Sequence, residues 1–358
     1  MSERVVGFQD GKDVSYCILE DGIPIIHEEK ERFNRVKDTI GDGLGFFFDY
    51  CGRTDIKYFT LGNPGGRDYL SRRGLDKEGA KYFERMQNII KENDGKYYVP
   101  GHHQSHAAGA FYSSNFKDAL VITLDGEGQD KVDQYNYDDV NTGQKKVDTA
   151  FTIWRGKDTK LDRILLSDVR EFSIGWPWYL ATEKIFGLSV GEPLGNQAGT
   201  VMAMGTMGDP DKYFDAFYGK AYRNPSVNWQ HYHDLAMNDE QESFDIAAGL
   251  QRATEVMFRE QITPFVEEYD GENICFSGGA SLNSVMMGKI IEWFPKIKNL
   301  HHDPVPYDGG LSLGAARYVW HHILDNPRIE WEDNSSPYLG RTYGEDEINK
   351  AIKKYTEE

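Results

Sequence analysis

The chain has 358 residues, a formal net charge of −18 and an apolar fraction of 39%. This composition is typical of a soluble globular protein, and no run approaches the ~18 consecutive apolar residues that a membrane span requires. The length exceeds what one hydrophobic core usually organises, so we expect two lobes with a cleft between them. The negative charge argues against a broad nucleic-acid-binding surface, because it would repel phosphate.

The N-terminus and the cysteines bear on the compartment. The first residues, Met-Ser-Glu-Arg-Val-Val, lack the basic-then-apolar pattern of a secretory signal. The cysteines, Cys17, Cys51 and Cys275, are too few and too scattered for a disulfide framework or a cysteine-rich zinc site. We therefore expect a cytoplasmic protein whose cysteines are small core residues.

The N-terminal segment predicts three short strands, at residues 5–9, 14–20 and 23–27, with a turn at Asp21-Gly22. Strands joined in this way open each half of the actin-like, sugar-kinase-like fold, although many antiparallel sheets begin similarly. The apolar pattern that follows predicts helices and strands in alternation: a helix at 40–50, a strand at 57–62, a helix at 76–93 and a strand at 97–100.

A cluster of histidines follows the last of these strands, in the sequence GHHQSHAAGAFY. Residues 104–114 are small, apolar and free of proline, so this segment should begin or enter a helix. Positions four apart share a helix face, and His102 and His106 can therefore point two imidazoles at one ion. The alternative is a pair of histidines with ordinary structural roles.

The next predicted strand, residues 119–124, is a continuous apolar run that ends in Asp125-Gly126. An acidic residue at the end of a buried strand, followed by glycines, can present its carboxylate to a ligand. Asp-Gly is equally a hairpin signal, with residues 132–137 as the returning strand. Both interpretations can hold together.

Two later turns are candidates for ligand binding. A strand at 273–276 leads through Gly278-Gly279 into a helix at 285–293, which would offer backbone amides to an anion. Asp308 precedes glycines and a small-residue helix, where it can bind a metal or cap the helix. The remaining predicted elements are a strand at 149–154, a helix that begins after Pro177 in the aromatic-rich segment 173–186, a helix at 244–269, and a last helix from residue 345.

Together these motifs resemble the family of nodulation proteins and antibiotic O-carbamoyltransferases. The resemblance rests on HHQSHAAGAFYSSNF with ALVITLDG behind it, then SGGASLN, then PVPYDGGLSLGAA, in matching order. The opening LEDG followed by ERFNRVK also fits the family's first hairpin and basic motif. Because the motifs extend from about residue 4 to residue 345, their combination is far more specific than any one of them.

The resemblance implies an α/β, two-lobed actin-like (ASKHA) fold, with mixed sheets flanked by helices and a central cleft, as in the threonylcarbamoyl transferases that modify tRNA. It also implies a divalent metal, often iron in such proteins, with zinc and manganese as alternatives. The implied ligands are His102, His106, Asp125 and Asp308. Two imidazoles and two carboxylates suit Fe(II) or Zn(II) and leave room for a substrate oxygen.

A nucleotide is implied as well, either ATP or the carbamoyl-adenylate made from ATP and carbamoyl phosphate. Gly278, Gly279, Asn283 and Gly309 would lie against it. The implied reaction passes the carbamoyl group to a hydroxyl of a small acceptor such as a sugar, a nucleoside or a secondary metabolite. The acceptor needs a base, for which His103 is one candidate, and a structural role for His103 is the alternative.

Three features depart from the family pattern. Lys12-Asp13 stands where relatives carry a His-Asp pair. If that histidine is the general base, either Lys12 or Asp13 must substitute for it or catalysis is altered. Gln129 replaces the usual acidic residue that closes the Asp-Gly loop, with Glu127 nearby. Relatives also continue beyond the equivalent of Gly340 into a domain that makes carbamoyl-adenylate.

We therefore expect a first lobe over residues 1–120 with the hairpin and the histidines, a second lobe over 121–340 with the Gly-Gly turn and the Asp308 loop, and a C-terminal helix over 341–358. The adenylate-forming domain is a separate polypeptide, lies outside this sequence, or is replaced by a donor made elsewhere. The leading hypothesis is a metal-dependent O-carbamoyltransferase. The alternative is a nucleotide- and metal-binding regulatory or scaffold protein of the same fold. For either function, the chain is a possible homodimer.

Overall fold

The computed structural model describes residues 2–66, 71, 79–138, 145–189, 196–329, 336 and 338–356. Its strands form two five-stranded mixed sheets. The first sheet contains β1 to β5, which are Arg4–Gln9, Ser15–Glu20, Ile23–Glu29, Tyr58–Leu61 and Lys96–Tyr98. The second contains β6 to β10, which are Asp118–Lys131, Lys146–Lys157, Lys160–Asp168, Asn273–Ser277 and Asn299–His302.

The two sheets repeat one connectivity. Their orders are β3-β2-β1-β4-β5 and β8-β7-β6-β9-β10. In each, three strands form an antiparallel meander, and two later strands are added in parallel beside the first strand of that meander. The chain is thus built from two α/β halves of the same design.

Helices cover both sheets. In chain order the α-helices are Glu31–Asn34, Gly43–Tyr50, Gly79–Glu92, His102–Ser113, Gly175–Lys184, Ala198–Met204, Phe214–Phe217, Trp229–Asn238, Glu240–Glu268, Ser284–Met287, Ile290–Trp293, Leu311–Tyr318 and Glu345–Thr356. Short 3-10 turns occur at Gly205–Met207, Gly279–Leu282 and Asp308–Gly310, and a π-helical turn at Val319–Ile323. Within the described residues, none of these helices combines the length and the apolar character needed to cross a membrane.

Two helices join the sheets. The histidine helix, His102–Ser113, packs against β6, β7 and β9, and the closing helix, Leu311–Tyr318, packs against β1, β2 and β4. The two helices also pack against each other. All 12 residues of the histidine helix are buried, which explains why small and apolar residues follow the histidines from Ala107 onward.

Several sequence predictions about elements are wrong. Residues 132–137 are not a returning strand, because β6 continues to Lys131 through a bulge between Leu124 and Gly128, and β7 returns from Lys146. The helix predicted at 285–293 is two short helices, with Gly288 ending the first. Strands β8 and β10 were not predicted. Residues 76–78 of the helix predicted at 76–93 lie outside the described residues.

Candidate active site

The histidine helix is fixed at its first turn by a buried carboxylate. Asp130 accepts hydrogen bonds from the backbone N–H groups of His103 and Gln104, at 3.0 and 3.4 Å. The side chain of Gln104 in turn accepts from the N–H of Gly101 at 2.9 Å. These contacts provide acceptors for backbone N–H groups of the first turn, which have no partner within the helix. They also set the direction in which the histidine side chains project.

Four side chains from three segments converge beside this turn. His102 and His106 come from the histidine helix, Asp125 from the bulge of β6, and Asp308 from the loop before the closing helix. Their candidate ligand atoms all lie within 4.8 Å of one another. Nε2 of His102 is 2.8 Å from Oδ2 of Asp125. Nε2 of His106 is 3.7 Å from the same oxygen and 3.5 Å from Oδ1 of Asp308. The structure thus brings together the four residues predicted as ligands.

The chemistry of this quartet suits a divalent cation. Nε2 of His106 is buried and has no hydrogen-bond partner among the described residues, although two carboxylates face it. Burial opposes the charge of His106, but Asp125 and Asp308 raise its pKa to about 10. Burial likewise opposes ionisation of Asp125, but His102 and His106 hold its pKa well below the usual value. The carboxylates of Asp125 and Asp308 therefore create a negative potential at the imidazole nitrogens, and a bound cation would neutralise this potential.

Glycines make room for two of these side chains. A Cβ at Gly128 would lie 2.2 Å from Cδ2 of His102, so the bulge of β6 can cover the imidazole only because this position has no side chain. A Cβ at Gly279 would lie 3.1 Å from Oδ1 of Asp125. The Gly278-Gly279 turn therefore lies against the carboxylate of Asp125.

Asp308 is not the cap of the closing helix. That helix has Gly310 at its N-cap, and no side chain among the described residues caps it, so the capping alternative does not hold and the role of Asp308 as a metal ligand stays a prediction. The carbonyl of Gly309 lies 2.7 Å from Oγ of Ser15 and 2.8 Å from Nε2 of His27. Gly309 thus connects the Asp308 loop to the first sheet through hydrogen bonds. Its contact with a nucleotide stays a prediction.

Lys12 lies on the wall of the same cleft as Asp308. Its ammonium is 4.0 Å from Asp13 and 3.6 Å from Asp38. Burial opposes this charge, but the carboxylates of Asp13, Asp38 and Asp308 together raise the pKa of Lys12. A lysine that holds its proton so firmly is suited to binding an anion and is a poor general base.

His103 is completely buried, and its Nδ1 lies 2.8 Å from Oδ2 of Asp130. Burial lowers the pKa of His103 even though Asp130 opposes this effect. The imidazole is therefore neutral and is held by the carboxylate that fixes the histidine helix. This favours the structural alternative for His103, and its role as a base stays a prediction.

The predicted nucleotide residues have protein partners of their own. The N–H of Gly278 donates to the carbonyl of Pro306 at 2.8 Å, and Gly278 has a φ of +94°, which favours glycine. Asn283 exchanges side-chain hydrogen bonds with Gln251 and accepts from the N–H of Met286. The amide of Gly278 is thus already engaged by the fold, and Asn283 caps a short helix.

The cleft beside the quartet has a volume of about 480 Å³. It is lined by Glu127, Asp148 and Arg223 in addition to Lys12 and Asp308. Sequence motifs do not mark Asp148 or Arg223, because pairing of β7 with β6 and an irregular segment bring them to the cleft. Glu127 had a usable signal, since it follows Asp125 by two positions along a strand.

Comparison with solved structures defines the class of fold. The chain superposes on HypF of T. kodakarensis with a TM-score of 0.53 and 12% identity, covering 93% of this chain and 49% of that one. It superposes on the activator of the 2-hydroxyisocaproyl-CoA dehydratase from Clostridium difficile, which holds ADPNP, with a TM-score of 0.51 and 13% identity, covering 89% and 94%. At such identities the likeness shows the fold alone, and the predicted two-lobed actin-like architecture is confirmed.

Sequence comparison defines the family. Residues 65–317, more than half of the chain, match the family described as carbamoyltransferase N-terminus. The chain is 29% identical over 273 residues to an uncharacterized protein of Synechocystis sp., covering 70% of this chain and 41% of that protein. It is 27% identical over 237 residues to the nodulation protein NolO of Bradyrhizobium diazoefficiens, covering 61% and 38%. The chain belongs to the carbamoyltransferase N-terminal family, as its motifs predicted, and it spans less than two thirds of the length of these two relatives.

Proposed function

We propose that the chain is the transfer part of a metal-dependent O-carbamoyltransferase, which moves a carbamoyl group from carbamoyl-adenylate to a hydroxyl of a small acceptor. The observation that carries this proposal is the buried quartet of His102, His106, Asp125 and Asp308, with Nε2 of His106 unpartnered among the described residues. Its position in a chain of the carbamoyltransferase N-terminal family supports this chemistry over other metal-assisted reactions.

In the proposed reaction the acceptor oxygen attacks the carbamoyl carbon, the bond from that carbon to the phosphate oxygen breaks, and AMP leaves with the electron pair. A divalent metal on the quartet would supply Lewis-acid polarisation of the mixed anhydride. Lys12, charged and on the cleft wall, offers a positive charge to the departing phosphate. His103 and Asp13 are the proposed candidates for accepting the proton of the acceptor hydroxyl, and Asp13 can do so only when it is ionised, because burial raises its pKa to about 8.

We place the nucleoside end of the donor in a second groove, of about 500 Å³, lined by Gln251, Glu255 and Lys289. Asn283 is hydrogen-bonded to Gln251, and the 3-10 turn Gly279–Leu282 leads from Asp125 to Asn283. The activator that shares this fold holds ADPNP. Binding of AMP, measured by calorimetry, should weaken about tenfold in Lys289→Ala. Unchanged affinity would place the nucleoside elsewhere.

Metal analysis of the purified protein tests the ligand set. We expect about one metal ion per chain, and His106→Ala should lose most of it because one missing ligand leaves an open, weak site. His231→Ala is a matched control, since it removes an exposed histidine on the helix Trp229–Asn238. Full metal retention in His106→Ala would contradict the assignment.

The activity itself is tested by supplying carbamoyl phosphate, ATP, an adenylate-forming domain and candidate acceptors. Carbamoylated acceptor and AMP should both appear, and both should depend on the metal that the analysis identifies. Absence of both products in every combination would favour the alternative, a regulatory or scaffold protein. Lys12 is the observation that keeps this alternative open, because its firmly held proton makes it a poor replacement for a histidine base.

A further inference from the structure

Glu127 and Arg223 form an ion pair on the wall of the cleft that contains Asp308 and His102. Oε1 of Glu127 lies 3.1 Å from Nη1 of Arg223. Glu127 is two residues beyond Asp125 in the bulge where β6 loses register with β7. Glu127 lines the cleft, and Asp125 contacts His102 on the same cleft wall, so the bulge that supplies the predicted ligand Asp125 also presents Glu127 to the cleft.

The pair is held in place by Trp176. The indole Nε1–H of Trp176 donates to Oε2 of Glu127 at 3.1 Å, and the guanidinium of Arg223 lies 5.4 Å from the centre of the indole ring. The helix that carries Trp176 begins at Gly175, where a Cβ would lie 2.7 Å from the carbonyl oxygen of Asp125. The orientation of the pair is therefore fixed relative to the quartet.

Stability alone gives a weak reason for this arrangement. The side chains of Glu127 and Arg223 are 24% and 38% exposed, and ion pairs in contact with solvent contribute little to folding. Binding of a polar ligand is therefore a better explanation than stability for the fixed positions of Glu127 and Arg223 in the cleft.

We propose that Glu127 and Arg223 select the acceptor by binding two adjacent hydroxyl groups of a polyhydroxylated molecule. This inference rests on the proposed function, because it places the acceptor in the same cleft as the quartet. The carboxylate of Glu127 accepts a hydrogen bond from one hydroxyl, and the guanidinium of Arg223, which has five N–H donors, donates to the oxygen of the next. Asp148, exposed on β7 and lining the cleft, provides a further acceptor.

The charges of the site indicate which acceptors fit. The pair is neutral overall, and Asp148 adds a negative charge beside it. Lys12 lies on the same cleft wall and is the cation that the proposed reaction assigns to the departing phosphate. A carboxylated acceptor would meet repulsion there, and an alcohol with a single hydroxyl would leave one member of the pair unsatisfied. A neutral vicinal diol satisfies both members, and discrimination between the diol and its deoxy analogue should be the signature of the site.

Direct binding is the first test, with methyl glucoside, galactoside and mannoside and their monodeoxy analogues as probes in saturation-transfer NMR. At least one glycoside should bind the wild-type protein, and loss of either hydroxyl of the recognised diol should weaken binding about tenfold. Glu127→Gln and Arg223→Met should abolish that difference. The control is Arg155→Met, which removes a partly exposed arginine that pairs with Asp118 and lies over the Tyr269 ring outside the cleft.

Steady-state kinetics of the complete system separates this inference from the proposed function. With a carbamoylated glycoside as product, Glu127→Gln should raise the acceptor KM about tenfold while kcat falls by less, and the metal content should stay at the wild-type value. Turnover by the wild type with an acceptor KM that Glu127→Gln leaves unchanged would overturn the inference alone. Glycoside binding through Glu127 without any turnover would instead contradict the proposed function. Absence of glycoside binding by the wild type would overturn the inference.

Discussion

A serine behind the quartet controls the direction of one imidazole. Nδ1 of His106 lies 3.4 Å from Oγ of Ser277, and that hydroxyl donates to Oδ2 of the buried Asp303 at 2.7 Å. The chain from carboxylate to serine to imidazole leaves Nε2 of His106 directed at Asp125 and Asp308. Partners behind metal-binding histidines commonly fix the ring and the tautomer in this way.

Ser277→Ala should therefore weaken metal binding about tenfold, because the imidazole of His106 is no longer held in place although it is still present as a ligand. The free energy of unfolding of the metal-free protein should change little. Competition with a chromophoric zinc chelator measures the affinity. Ser113→Ala is a close control, since Ser113 is also buried and its Oγ lies 2.8 Å from a histidine, His301, that is not one of the quartet. Equal affinities in the wild type and Ser277→Ala would remove this role for Ser277.

Asp13 gives the folded protein a particular pH dependence. It is buried, its Oδ1 has no hydrogen-bond partner among the described residues, and burial raises its pKa from 3.8 to about 8 although Lys12 opposes the shift. The folded state thus binds the Asp13 proton more tightly than the unfolded chain does. The stability linked to that proton is complete below pH 4 and is lost as the pH rises through 8.

Asp13→Asn should remove this loss, so that the variant gains stability relative to the wild type by up to ~1.4 kcal/mol per pH unit within the window. Asparagine tolerates the φ of +55° found at this position. Thermal unfolding between pH 5 and 8.5 provides the measurement, with Asp21→Asn as a control in an exposed turn with a φ of +48°. Parallel pH profiles for the wild type and Asp13→Asn would refute the prediction.

At the scale of elements, the closing helix approaches its neighbours through glycines. A Cβ at Gly314 would lie 2.0 Å from the carbonyl oxygen of Ser105 on the histidine helix. On the opposite side, a Cβ at Gly7 of β1 would lie 1.8 Å from the carbonyl oxygen of Ser312. The closing helix therefore fixes the distance from the first sheet to the helix that carries His102 and His106.

Gly314→Ala should destabilise the fold by ~3 kcal/mol and also lower the metal content, because backbone atoms must move to admit the methyl group. Gly199→Ala is the matched control. Gly199 lies in the helix Ala198–Met204, and among the described residues no atom outside its own helix turn lies within 4 Å of its Cβ position, so alanine should be neutral or stabilising there. Denaturant unfolding and metal analysis measure the two effects, and wild-type values for Gly314→Ala in both would disprove the role of this contact.

The sequence predicted elements best where the pattern was local. Three parts of the chain show this: the first three strands, the histidine helix and the long helix Glu240–Glu268. Their apolar residues in the sequence are largely the residues that are buried in the structure. Among the described strands, β8 and β10 are the edges of their sheet, and their mixed burial leaves little alternation to detect. The extension of β6 beyond its bulge depends on pairing with β7, which lies too far along the chain for a local pattern to show.

For the whole molecule, the candidate site was predictable in its motif residues and unpredictable in their surroundings. His102, His106, Asp125 and Asp308 stand in recognisable motifs, and the fold brings them together, while their role in metal binding stays a prediction. The contacts of Ser277 with Asp303 and of Glu127 with Arg223 join segments that no motif connects. Arg223 in particular belongs to an irregular segment, and only tertiary packing brings it to the cleft.

Metal binding should stabilise the whole fold, because the quartet draws on the histidine helix, the bulge of β6 and the loop before the closing helix. These segments separate when the chain unfolds, so the ion binds the folded state selectively. At a free concentration 100 times its Kd the ion adds ~2.7 kcal/mol, which corresponds to a rise in Tm of about 4 °C for a chain of 358 residues. Scanning calorimetry of chelator-treated protein with Zn(II), Mn(II) or anaerobic Fe(II) measures the shift. His231→Ala should respond as the wild type does, and His106→Ala should not respond. A shift of equal size in His106→Ala would mean that the stabilising ion binds at another site.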